Sequence, residues 1–204
     1  MADLRQQIPD EVVKAANTAA TAADPALVVA LSPNSPLPTA ALPATFSASI
    51  NGLALVASAT DVFTLTGSAT KTIKITKVAF NAIQTTAAQV GVVLLKRSTA
   101  DTLGTFTTIP SVPYDSTTAA ATAVVTAYTA NPTTGTLVGN IFTQRVFVPG
   151  AATASDAQGL SMAYGDVNQQ YVILRGTAQQ FAINLAGVSV VGGSANISIE
   201  WIEV

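Results

Sequence analysis

From about residue 46 onward the apolar residues tend to recur at every second position, and that period commits the body of this chain to β structure. In Asp61-Val-Phe-Thr-Leu-Thr-Gly67, Phe63 and Leu65 share one face while Val62, Thr64 and Thr66 share the other, as in a strand with one side in a core. Lys71-Thr-Ile-Lys-Ile-Thr-Lys77 sets Ile73 and Ile75 against Thr72, Lys74 and Thr76. With Gly67-Ser-Ala as a turn between them, the two segments read as an antiparallel hairpin. The later shift of the apolar series to Val78 and Phe80 predicts a bulge. Val90-Gly-Val-Val-Leu-Leu-Lys96 is apolar on both faces and is expected to be covered on both sides, whereas Phe181 to Leu185 alternates. Ile141 to Val148, Tyr171 to Leu174 and Asn196 to Ile202 complete a set of about eight or nine short strands. The expected class is all-β, an antiparallel β-sandwich or jelly roll. Thr99 to Thr136, carrying Pro110, Pro113 and Pro132, reads as a long loop that is either a surface excursion or a subunit contact.

The front of the chain is built differently. Residues 1–24 hold six charged side chains, and none follows until Asp61. The neutral interval contains Pro25, Pro33, Pro36, Pro38 and Pro43, which exclude helix and central strand and favour an extended connector. Asp10 to Ala23 is expected as a short helix with Asp10 as its cap. The chain therefore divides into an N-terminal arm over 1–45 and a β-sandwich domain over 46–204. The arm carries Leu27, Val28, Val29 and Leu31, then Pro33, Pro36 and Leu37, a composition poorly suited to a solvated linker. That apolar surface, with Ile50 to Val56 behind it, needs a place to be buried. It either packs on its own domain as an extra strand or docks on a partner by β-addition.

Composition removes many chemistries. The 204 residues include no histidine and no cysteine, so disulfides, thiol nucleophiles, histidine bases and zinc ribbons are excluded. Nine basic and eleven acidic side chains leave a net charge of −2, too weak a field to hold a polyanion or an anionic membrane. Apolar residues make up 49%, and alanine with threonine supplies roughly a third of the chain, yet no aliphatic run approaches the length of about 20 residues that a spanning helix needs. The first ten residues lack the basic and apolar regions of a signal peptide, so the expectation is a chain made and used in a cytosol, or one that leaves it without a secretion signal.

The acidic residues are scattered. Asp101, Asp115, Asp156 and Asp166 fall in expected loops and read as caps of turn backbone. No paired carboxylates and no calcium loop stand out, so no cofactor or metal is expected. Gly192-Gly193 reads as a turn, and Asn196-Ile-Ser198 as a chance match to a glycosylation acceptor inside a strand. Trp201 reads as a core plug. Lys96-Arg97 and Arg175 read as strand ends emerging into solvent, Arg175 alternatively as a cross-subunit pair.

Ala59 to Lys77, Leu95-Lys-Arg-Ser-Thr-Ala100, Pro113-Tyr-Asp-Ser116, Tyr128-Thr-Ala-Asn-Pro132, Leu174-Arg-Gly-Thr177 and Ile199-Glu-Trp201 together resemble a recurrent β-rich structural domain of virion proteins in tailed bacteriophages. Val28 to Pro38 resembles the arm that often precedes it. The resemblance brings no catalytic motif. It implies a non-enzymatic virion component, a homo-oligomer with a trimer favoured, whose arm attaches to the major capsid protein or another virion protein. Capsid decoration or head fibre is the leading expectation, with neck, tail or baseplate component as the alternative. A module that touches host glycans or surface proteins through the Thr99–Thr136 loops ranks second, because only Phe106, Tyr114 and Tyr128 lie there as aromatic platforms, and a carboxylate hydrolase ranks third.

Overall fold

The computed structural model describes residues 43–150, 158–166, 168–187 and 192–204. Pro43–Val204 forms one compact unit. The helix expected at 10–23 and the connector behind it lie outside the described residues. Twelve strands follow in chain order: β1 (Ala44–Ala54), β2 (Asp61–Thr66), β3 (Thr72–Ile83), β4 (Ala88–Arg97), β5 (Phe106–Ile109), β6 (Val112–Pro113), β7 (Val124–Tyr128), β8 (Leu137–Val148), β9 (Leu160–Ala163), β10 (Val172–Arg175), β11 (Gln180–Asn184) and β12 (Ser194–Glu203). No helix occurs among the described residues.

The strands form two six-stranded antiparallel sheets. Sheet A runs β10-β3-β12-β1-β6, with β9 also on β3, and sheet B runs β5-β7-β2-β11-β4-β8. Alternating residues of both sheets meet in one core, a β-sandwich-like arrangement. Sheet B contributes Phe63, Ile183 and Leu94, which lie abreast in register. Sheet A contributes Phe46, Trp201 and Ile75, also abreast, with the Phe46 and Trp201 rings stacked at 5.8 Å. Trp201 is fully enclosed. Each such large side chain contributes roughly 1.5 to 3 kcal/mol by leaving water.

The hairpin expected between Asp61–Gly67 and Lys71–Lys77 does not form. β2 pairs with β7 and β11 in sheet B, while β3 pairs with β12, β9 and β10 in sheet A. The connection is an arch from one sheet to the other. Ser68 Oγ accepts from the amides of Thr70 and Lys71 and shapes the bend. Gly67 packs so closely on the turn between β10 and β11 that a Cβ there would sit 2.5 Å from the Gly176 carbonyl oxygen. The same rule holds along the whole body, because no strand pairs with its immediate successor.

Three further expectations change. The Thr99–Thr136 segment holds β5, β6 and β7 and extends both sheets, so it is not one loop. In β4, Val90, Val92 and Leu94 face the core while Gly91 and Val93 are half-exposed, so its first half is covered on one side only. Residues 50–54 form the end of β1, which pairs with β12 and settles that stretch as a strand of its own domain. The bulge expected before Val78 is present: Glu200 faces Lys77 and Trp201 faces Ile75, leaving Thr76 as the extra residue.

Candidate functional site

Two buried charged side chains, Asp61 and Arg97, meet on the outer face of sheet B. Lys96 and Arg97 alternate, so Lys96 points between the sheets and donates from Nζ to the Ile173 carbonyl at 2.7 Å, while Arg97 points outward. Between the register positions of Arg97 and Asp61 lie Thr64, Ala182 and Leu95, all buried. The small Ala182 leaves room for the guanidinium to reach Asp61, which it grips with Nε to Oδ2 at 2.6 Å and Nη2 to Oδ1 at 2.9 Å. Asn184 Nδ2 also donates to Asp61 Oδ1. This is a bidentate, enclosed pair: the Asp61 side chain is 0% and that of Arg97 7% exposed. Burial lowers the guanidinium's proton affinity, but the bond and charge of Asp61 outweigh it and hold Arg97 charged.

Asp101 is the third member. Its Oδ1 lies 3.3 Å from Arg97 Nε and accepts from the Gly135 amide at 2.8 Å. Its Oδ2 is enclosed without a donor, and the carboxyl lies in hydrogen-bonding reach of Asp61. Burial first, then the facing Asp61 charge and bond, push Asp101 up from 3.8 to about 7 against the pull of Gly135 and Arg97. A protonated Asp101 carboxyl is a donor within reach of Asp61.

The cluster fastens a segment of the chain over sheet B. Arg97 Nη1 donates to the Gly135 carbonyl, the Asp101 amide to Gln180 Oε1, and the Thr60 amide to Asn131 Oδ1. Gly135 is required here by close approach, since a Cβ would lie 1.9 Å from the Thr99 carbonyl oxygen. A second enclosed carboxylate, Glu203, accepts from the amides of Thr122 and Ala123, the Thr122 hydroxyl and Trp201 Nε1. Burial pushes its carboxyl up, but these bonds win and hold it below the ordinary carboxylate range. A shallow concavity of about 530 Å³ lies on the outer face of sheet A, lined by Ser49, Asn51, Ala79, Asn81, Ser161 and Asn196 among others.

Six of the ten large apolar side chains exposed among the described residues lie along the two flanks of the sandwich; Ile83, Leu103, Val124 and Val204 are the others. β8 carries Leu137, Val138 and Ile141, and the opposite flank carries Phe106 on β5, Val112 on β6 and Tyr114 beside it. On β8 the register with β4 slips twice, at Ile141 and at Val138, so both extra residues are apolar and exposed.

Sequence expectations met this geometry unevenly. Arg97 does not emerge into solvent, and Asp101 is more than a turn cap because it belongs to the buried cluster. Asp115 does cap its turn, accepting from the amide and hydroxyl of Thr117. Phe106 and Tyr114 are exposed, but Tyr128 is buried, its ring edge-on to Phe106. Arg175 is exposed and donates to Thr72 Oγ1. The arm residues Leu27, Val28, Val29, Leu31, Pro33, Pro36 and Leu37, and Asp156, lie outside the described residues. The cluster itself was missed. Its signal was the apolar, outward-facing Leu95 two positions before Arg97, which marks that face as covered. Among the described residues no group of three or more carboxylate, histidine or cysteine side chains is placed to hold a metal ion. No family model, no curated protein and no solved structure matches the chain.

Proposed function

We propose that this chain is a non-enzymatic structural protein of a tailed-bacteriophage virion, a homo-oligomeric capsid decoration or head fibre. In this reading residues 27–37 of the arm attach it to the major capsid protein or a neighbouring virion protein. The observation that carries the reading is where the exposed apolar side chains lie. Leu137, Val138 and Ile141 on one flank, with Phe106, Val112 and Tyr114 on the other, are surface suited to repeated subunit contacts. The buried carboxylates point the same way, since they are spent on fastening the fold. The family resemblance supplies the virion and the trimer.

The strand order supports a jelly roll as the finer architecture. Setting aside β5, β6 and β7, sheet A reads β1-β12-β3 with β9 and β10 beyond, and sheet B reads β2-β11-β4-β8. That is the interleaved order of a rolled-up pair of Greek keys, with β9 and β10 sharing one strand position. Mass spectrometry of purified particles tests the function directly. The protein is expected in many copies per virion, and its absence from intact virions would end the proposal. Deleting residues 1–42 leaves β1 whole and is expected to yield a folded domain that no longer joins particles.

A further inference from the structure

We infer that copies of this chain associate head to tail, the β8 flank of one against the β5 and β6 flank of the next, closing a ring. The inference rests on the structural role proposed above and adds which surfaces meet. The flanks are opposite sides of one sandwich: β1 packs near β5 and β7, while β3 packs near β8. β8 and β10 end the sheets on one side, and β5 and β6 on the other.

Three observations select a second copy as the occupant. First, both flanks are apolar, with Val138 61% and Phe106 55% exposed. Second, their charges are complementary. The β8 flank carries exposed Arg145 and Arg175 against Asp166, while the exposed charge along Phe106–Thr122 is Asp115. Third, the β8 flank offers the area of a standard contact. A twelve-residue strand is about 40 Å long, and sheets about 10 Å apart with their bordering side chains give a flank on the order of 800 Å², the contribution of one partner to a standard interface.

The two slips of register disfavour the rival arrangement, in which two β8 edges pair about a two-fold axis. A doubly bulged edge does not template a continuous ladder, so docking uses the side chains it aims outward. Two unlike surfaces on opposite sides generate a heterologous contact, which closes into a ring when the rotation permits.

The test uses the full chain and two exposed-site variants, Val138→Asp on one flank and Phe106→Asp on the other, with circular dichroism to verify folding. Light scattering and native mass spectrometry are expected to show a ring for the parent and a severalfold fall to monomer for each variant alone. An equimolar mixture of the two variants should give a dimer and nothing larger, because one intact interface remains between unlike partners. A parent that is monomeric, or a Phe106→Asp variant that keeps the parent's mass, overturns the inference. If either variant misfolds, Arg145→Asp and Asp115→Arg take their place: each weakens the ring, and the double variant restores it, whereas no restoration counts against the pairing. A parent that forms no ring yet is abundant in virions overturns this inference and leaves the structural role standing.

Discussion

Glu203 and Asp101 are both enclosed carboxylates, yet the fold treats them oppositely. Glu203 sits among donors alone, two amides, a hydroxyl and an indole N–H, so its charge is wanted. Asp101 arrives second at a guanidinium that Asp61 already holds by two bonds, and receives one full-strength donor, the Gly135 amide. Burial is common to both. What differs is the number of donors per negative charge, and that number decides which way the proton goes.

The sharpest way to break the contrast is to remove the cation. Arg97→Met leaves two carboxylates facing each other without compensation, and urea denaturation at pH 7 should show a loss of about 3 to 5 kcal/mol. Glu203→Gln, which keeps one accepting oxygen and brings an unwanted N–H toward the same donors, is expected to cost about 2 to 3 kcal/mol at pH 7. Asp101→Asn should have the opposite sign, a gain on the order of 2 kcal/mol at pH 8.5 and little change at pH 4, since Asn copies the protonated acid. Lys77→Ala, which removes a half-exposed 3.6 Å pair with Glu200, should change stability by less than about 0.5 kcal/mol.

Acidity sharpens the same contrast. Asp101 has a folded pKa raised from 3.8 to about 7, so the stability it lends is complete below about pH 4 and lost as the pH rises through 7. Glu203 is lowered from 4.5, so its contribution is present above pH 4.5 and lost as the pH falls through the folded value. Stability of the parent measured from pH 3 to pH 8.5 should therefore fall at both ends. Asp101→Asn should flatten the neutral limb and Glu203→Gln the acid limb. Either variant flattening the other limb would refute the assignment.

Strand positions and faces were legible in the sequence wherever burial is one-sided. Ile197, Ile199 and Trp201 announce both the strand and the side that is buried, whereas Phe63 and Leu65 announce their strand but not that Val62 and Thr64 on the other face are buried as well. Pairing was not legible. A period of two states which face is apolar, but the partner of β2 is chosen by residues as far away as Phe181, and Gly67-Ser-Ala serves an arch between sheets as readily as a hairpin. The charge cluster was hidden for a related reason. Asp61, Arg97 and Asp101 acquire meaning from the segment folded over sheet B, and a charged residue after an apolar run has the same appearance whether water or chain lies beyond it.

The interleaved strand order also sets a timetable. β12 lies between β3 and β1, and β11 between β2 and β4, so each sheet is held open at its middle until strands far along the chain arrive. A nascent chain at the ribosome cannot zip up hairpin by hairpin as it emerges. Strands β1 and β3 must wait with their edges unsatisfied until residue 203 is free. During that wait the chain is exposed to mispairing with its neighbours on the same message, and the threonine-rich, weakly charged strands give such encounters little electrostatic opposition.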